Sequence, residues 1–228
     1  MFENIINWYK IKKIERTIEA LKLNGFQAFF VQNSDEALKL LLELIPIKAK
    51  VGIAGSLTIR QIGLIEALEK RGNQVIHHWK KGISFEESMN LRRGEIMADV
   101  FLTSSNAITE DGKLVNAGAY GNREAGTLFG KKVIVVAGIN KIVKDVEEGI
   151  RRIKSFVAPI NTRRIEVDTP CVRTGRCDDE ECKFPNRQCN VLLIIENKPV
   201  GADFSIIMIN QELGADFSII MINQELGI

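Results

Sequence analysis

Three short segments of this 228-residue chain carry side chains suited to holding a small anion. Gly55-Ser56-Leu57-Thr58 follows an apolar run and opens an amphipathic one. Backbone N–H groups left free at a helix start, with the hydroxyls of Ser56 and Thr58, can cradle a phosphate or carboxylate, and Arg60 adds charge within the first turn. The same residues serve equally as an N-cap and tight turn, and the segment is neither a GxGxxG nor a Walker loop. Thr103-Ser104-Ser105-Asn106 ends another apolar run and offers small hydrogen-bonding groups, with Glu110 and Asp111 nearby. Plain turn chemistry accounts for the same composition. Glu110 is the acid nominated as nucleophile or base, because Asp111 is explained by an Asp-Gly turn. The third segment, Asn116 to Arg123, is glycine-rich and ends Gly121-Asn122-Arg123. An arginine there can clamp a carboxylate or phosphate bidentately, though an arginine at a helix start is as often solvated.

The four cysteines, Cys171, Cys177, Cys182 and Cys189, fall within nineteen residues. Clustered thiols in a chain without secretory signals point to a metal more than to disulfides, with zinc ahead of an iron–sulfur cluster. No CxxC knuckle is present, and the Asp178-Asp179-Glu180-Glu181 run would repel an anionic cluster but not a cation. Reduced, structurally incidental thiols are the competing reading. The two histidines, His77 and His78, are adjacent at a strand end, so their side chains point to opposite faces and at most one serves a given site. A satisfied or solvated imidazole is the favoured reading of both, and with no nucleophile elbow a hydrolase is discounted.

The elements that must position these groups alternate. Ile11, Ile14, Ile18 and Leu21 form a helical stripe that Gly25 stops. Strand FQAFFV (26–31) precedes a helix from Asp35 to Pro46 with Ser34 as its N-cap. Strand KVGIA (50–54) leads to a helix from Thr58 to Lys70, then strand QVIHH (74–78) and a helix over 84–97 with a Ser84/Glu87 capping box. Strand ADVFLT (98–103) feeds a hairpin turned at Asp111-Gly112, and strand KKVIVVAG (131–138) a helix whose stripe is Val146, Ile150, Ile153 and Val157. From Pro159 to Gln188 the pattern breaks into a polar loop before the strands VLLIIE and FSIIMI. Apolar strands alternating with helices predict an α/β fold, an open, mostly parallel sheet covered on both faces. Ligands of such sheets bind beyond the carboxyl ends of the strands, where the first two segments fall.

Composition limits the function classes. With 45% hydrophobic and 26% charged residues the chain is globular rather than disordered. A net charge of +2 gives no reason to expect nucleic acid or a membrane surface as partner. No apolar run is long enough to span a bilayer and the N-terminus has no signal-peptide pattern, so the cytoplasm is expected. Residues 201–213, GADFSIIMINQEL, recur letter for letter at 214–226. An identical copy reads as a recent tandem duplication or a sequence artefact rather than solenoid periodicity. One α/β domain over 1–213, including the cysteine-rich loop 169–189, is therefore expected, followed by a duplicated strand segment over 214–228. Only one copy can occupy a given sheet edge.

The runs ADVFLTSSNAITEDGKLVN (98–116), GNR (121–123), VIVVAGINKIV (133–143), TPC (169–171), TGRC (174–177) and CNV (189–191), with VGIAGSLTIRQIG (51–63), together resemble the LUD domain family, which includes the lactate utilisation protein C proteins. The resemblance implies the NagB/RpiA/CoA-transferase-like fold, a Rossmann-like sheet. It also implies a part in L-lactate oxidation beside iron–sulfur partner proteins. The loop residues Gly55, Ser56, Thr58, Ser104, Ser105, Asn106, Asn116, Gly121, Asn122 and Arg123 are the candidates for holding a small anionic substrate. One departure stands out: where the family pattern reads Asn-x-Asp-Gly-x-Gly-Asn-Arg, the acid is replaced by Gly118. Alternatives are a free-standing CoA-transferase or sugar-phosphate isomerase type of enzyme using Glu110, and a cysteine-based metal or redox sensor. Self-association into a homo-oligomer is left open.

Overall fold

The computed structural model describes residues 2–214, so all of the second copy except Gly214 lies outside the described residues, and with it the expected 214–228 segment. In chain order the elements are α1 (Phe2–Leu23), β1 (Gln27–Val31), α2 (Ser34–Leu44), β2 (Lys50–Ile53), α3 (Leu57–Gln61), α4 (Leu64–Arg71), β3 (Gln74–Ile76) and α5 (Phe85–Ile96). They continue with β4 (Val100–Thr103), β5 (Ala107–Thr109), β6 (Leu114–Gly118), α6 (Asn122–Phe129), β7 (Lys132–Gly138), β8 (Ile142–Val143), α7 (Val146–Arg152), α8 (Ala158–Arg164), α9 (Pro170–Thr174), β9 (Val191–Ile195) and β10 (Asp203–Ile209).

Six strands form the central sheet in the order β3-β2-β4-β7-β10-β1, every neighbouring pair parallel. The expected α/β architecture is what the chain adopts. Side chains alternate faces along each strand. Ile207 and Ile209 of β10 join Val51, Ile53 and Leu102 under α2, α3 and α4, while Phe204, Ile206 and Met208 join Phe101, Val133 and the α1 stripe of Ile14, Ile18 and Leu21. The first repeat copy therefore supplies an internal strand between β7 and β1, not an edge strand. Its apolar side chains are buried on both faces, which is why it cannot sit at a half-solvated edge.

A smaller sheet, β8-β5-β6-β9, stacks on the second face. Its β5–β6 hairpin turns at Asp111-Gly112 as the sequence predicts, with Gly112 N–H donating to Thr109 O at 2.9 Å. The Ser84/Glu87 capping box of α5 is also present.

Several boundaries differ from expectation. Asn33, not Ser34, caps α2: its side chain accepts the Glu36 N–H, and Ser34 is already helical. The helix expected over 58–70 is broken at Ile62-Gly63, where Gly63 takes φ +69°. β3 ends at Ile76, so both histidines lie beyond the strand. Pro159 does not start a loop. A π-helical turn over Ile153–Val157 joins α7 to α8, and Pro159 sits in the first turn of α8, where its missing N–H costs little.

Gly52 fixes one position that matters below. A Cβ there would lie 2.0 Å from the carbonyl oxygen of Glu95, so only glycine lets α5 lie this close on β2.

Candidate functional site

β3 lies on one side of β2 and β4 on the other, so the chain reverses direction across the sheet at β2. Such a switch opens a crevice beyond the strands' carboxyl ends. A cavity lies there, lined by residues of the loops after β2, β4 and β7 and of the α7–α8 segment. Loops after β2, β4 and β7 meet in it at one residue. Lys141, 6% exposed, follows β7 and donates through Nζ to Thr58 Oγ1 at 2.8 Å and Ser104 Oγ at 2.6 Å. Arg123 from α6, with Arg152 and Arg164 from the α7–α8 segment, completes four cationic side chains in the wall, and among the described lining residues there is no carboxylate. Burial pulls the Arg123 guanidinium below its usual value, against the opposing pull of Glu124, and burial with the charge of Arg60 does the same to Arg164. Guanidinium remains charged at neutral pH through such shifts.

Gly55, Ser56, Thr58, Ser104, Ser105, Asn106 and Arg123 all line this cavity. Their roles differ. Ser56 Oγ accepts the Ile59 N–H at 3.3 Å, so it is the N-cap of α3. Ser105 Oγ donates to Ala107 O at 2.6 Å. Asn106 and Asn116 brace the β4–β5 loop against β6: Asn106 Oδ1 accepts the Ala117 N–H and Asn116 Oδ1 the Asn106 N–H, both at 2.9 Å. Asn116 and Gly121 lie behind the wall, and Gly121, with φ +77°, starts α6. Arg60 stacks on Trp79, 4.8 Å from the ring centre, rather than entering the cavity.

Glu110 is not brought to the site. It lies at the hairpin tip, where its carboxylate oxygens are each 3.5 Å from Lys13 Nζ and Arg16 Nη2. The expectation failed because this tip packs on α1, Asn24 Nδ2 donating to the Asp111 and Gly112 carbonyls, while the cavity faces the opposite end of the hairpin.

A second, more open lobe shares Gly55, Ala117, Arg123, Asn161, Arg164 and Gln188 with the first. It adds Asn122, Glu124, His78, Trp79, Lys80 and Arg92, the last stacked 4.5 Å over the Tyr120 ring. Glu124 is 4% exposed, and neither carboxylate oxygen has a hydrogen-bond partner among the described residues. Arg123 Nε stands 3.6 Å from Oε1. An ideal Cβ on Gly118 would lie 2.6 Å from both oxygens, so the Glu124 carboxylate fills the space that a side chain at 118 would take. His78 Nδ1 lies 2.6 Å from Oε1 of Glu95, which is fully buried; Glu95 also accepts the His78 backbone N–H at 2.9 Å and Asn122 Nδ2 at 3.3 Å.

The four cysteines are free thiols around one small cavity with Lys154, Asp179 and Arg187, and Cys189 also borders the main cavity. Burial, reinforced by the other thiols, pushes Cys189 up to about 11. Among the described residues no group of three or more His, Cys, Asp or Glu is arranged to hold a metal ion.

The sequence reading missed Lys141, Arg152, Arg164, Glu124 and the His78–Glu95 pair. Lys141 lay in a run already singled out, GINKIV, and a lysine directly after an apolar strand was the available signal. Arg164 had none, because Pro159 read as a loop boundary, and Arg152 stood among the polar residues of an ordinary helix.

Comparison with protein families matches the pattern described as LUD domain to residues 14–209. A search of curated proteins gives no match. Among solved structures, the chain is similar to a DUF162 family protein from Deinococcus radiodurans, with 16% identity and a TM-score of 0.52, covering 88% of this chain and 98% of that one. At that identity the likeness bears on the fold alone. Among the described residues, no helix is long and apolar enough to cross a membrane.

Proposed function

The chain belongs to the LUD domain family, associated with lactate utilisation, and on that footing we propose that it serves in the use of L-lactate or a related 2-hydroxyacid, beside iron–sulfur redox partner proteins. The observation that carries this reading is the cavity at the sheet's switch point. A buried ammonium, Lys141, and three guanidiniums converge there with serine and threonine hydroxyls. Such a wall favours a small carboxylate, because each hydrogen bond to it is charge-assisted and the low-dielectric surroundings strengthen it. The charge comes from the turn after β7, from α6 and from the α7–α8 segment, and the hydroxyls from the loops after β2 and β4, so the site is built by the fold and not by a single loop.

A transferase or isomerase role loses its nominated acid, since Glu110 sits on α1. Titration calorimetry of the purified chain with L-lactate, glycolate and malate, against neutral analogues, tests the cavity. A deletion strain tests the pathway: growth on lactate at the parental rate would sink the proposal, whereas loss of growth together with copurifying iron–sulfur proteins is the expected result.

A further inference from the structure

The second lobe holds a feature that anion binding does not use. Glu95 is held over β2 because Gly52 lets α5 approach, and its Oε1 accepts two hydrogens from one residue, the backbone N–H and the Nδ1–H of His78. Asn122 Nδ2 holds the other oxygen at 3.3 Å. A fully buried carboxylate on Nδ1 holds a ring proton there and fixes the ring plane, and in the neutral ring with that proton the lone pair is on Nε2. Nε2 points toward Gly55: a Cβ built there would stand 3.3 Å from Nε2 and 3.4 Å from Cε1. Among the described residues Nε2 accepts no hydrogen bond, although the ring is close to buried, with 11% of the side chain exposed. His78 lines the second lobe together with Arg123 and Arg164, which border both lobes.

The chemistry of that lobe narrows what the acceptor is for. Arg123 and Arg164 can only donate hydrogen bonds. A ligand that is merely an anion engages them and leaves Nε2 without a partner. A ligand with a carboxylate and a hydroxyl satisfies both, the carboxylate on the cations and the hydroxyl hydrogen on Nε2. A neutral imidazole accepts that hydrogen without repelling the anion, which a carboxylate in the same place would do.

We propose that His78 Nε2 accepts the hydroxyl hydrogen of a bound hydroxyacid and so selects hydroxyacids over the corresponding oxoacids, with Glu95 as the positioning residue. This rests on the reading that the cavity takes a 2-hydroxyacid, and it adds the residue that reads the hydroxyl. An oxoacid offers no hydrogen, and a site built around a hydroxyl rejects an analogue that leaves its polar group unpaired.

The test uses the full chain and two readouts. Calorimetry compares L-lactate with pyruvate and glycolate with glyoxylate, in the parent and in His78→Phe and His78→Gln. The parent is expected to favour the hydroxyacid by at least about tenfold, or 1.4 kcal/mol, and His78→Phe to bring the ratio close to one. Gln, with a carbonyl oxygen as acceptor, is expected to restore part of it. Nitrogen-15 NMR of the imidazoles, assigned through a His77→Asn variant, is expected to show His78 protonated on Nδ1, with an Nε2 signal that moves on adding L-lactate and stays put with pyruvate. This measurement on unsubstituted His78 decides the matter if His78→Phe fails to fold. Binding of L-lactate with an unmoved Nε2 signal, or an unchanged ratio in folded His78→Phe, overturns the role of His78 and leaves the hydroxyacid cavity standing. If no member of either pair binds the parent, the hydroxyacid reading itself fails and this inference falls with it.

Discussion

Replacing Gly118 by aspartate sets two carboxylates against each other in one buried space. The Cβ alone would stand 2.6 Å from both oxygens of Glu124, whose side chain is 95% buried and cannot swing away without leaving Arg123. Overpacking of this kind costs about 1–3 kcal/mol. Two like charges roughly 4 Å apart at an effective dielectric of about 20 add as much as ~4 kcal/mol, lessened by whatever rearrangement or protonation occurs. The expected destabilisation is therefore about 3–5 kcal/mol near neutral pH. Urea unfolding followed by circular dichroism measures it, in a double-mutant cycle with Glu124→Ala. In the Glu124→Ala background the cost of Gly118→Asp is expected to drop below about 1 kcal/mol, because clash and repulsion both vanish. Near pH 4, where carboxyls take up protons, the charge part of the cost should shrink while the steric part stays. A Gly118→Asp protein within about 0.5 kcal/mol of the parent, or a cost that Glu124→Ala leaves unchanged, would refute the claim that Glu124 fills the place of an acid at 118.

Lys141→Met is expected to weaken L-lactate binding about 10- to 100-fold, as loss of a hydrogen bond from a charged donor costs roughly 1.5–3 kcal/mol; calorimetry beside an unchanged circular dichroism spectrum checks it. Gly52→Ala would force a Cβ to 2.0 Å from Glu95 O, a backbone contact that cannot yield, so soluble folded protein should be scarce and thermal melting strongly lowered. Cys189, raised to about 11, should be the slowest thiol to alkylate near pH 8, behind exposed Cys177, in time-resolved mass spectrometry. Its shift also sets a sign: the buried thiol's contribution to stability is present below its unfolded value near 8.5 and is lost as pH rises through about 11, which alkaline melts of the parent and Cys189→Ala should show.

Much of the scaffold was legible because it is local. The α1 stripe, the Ser84/Glu87 capping box, the Asp111-Gly112 hairpin and the apolar strands each lie within a few residues of the groups that define them. The same holds for the rim of the cavity, since ligand sites of open parallel sheets fall at strand ends and the strands could be read. One error came where a single residue's signal was overridden by the segment just before it. Pro159 reads as a breaker, yet the π-helical turn before it absorbs the missing bond and carries the helix on to Arg164.

The amino-acid sequence by itself determined the elements, their alternation, the hydroxyl-bearing turns at Ser56 and Ser104, and family membership through runs of contiguous residues. Tertiary structure decided which groups face one another. Lys141 meets Thr58 and Ser104 from 83 and 37 residues away, Glu95 reaches His78 across two elements, and Glu110 is carried off to α1 by the direction of a hairpin. Such meetings depend on strand order, on which face a side chain takes and on how closely a helix can approach a strand, as at Gly52. Those are properties of packing between distant segments, and no spacing within one segment encodes them.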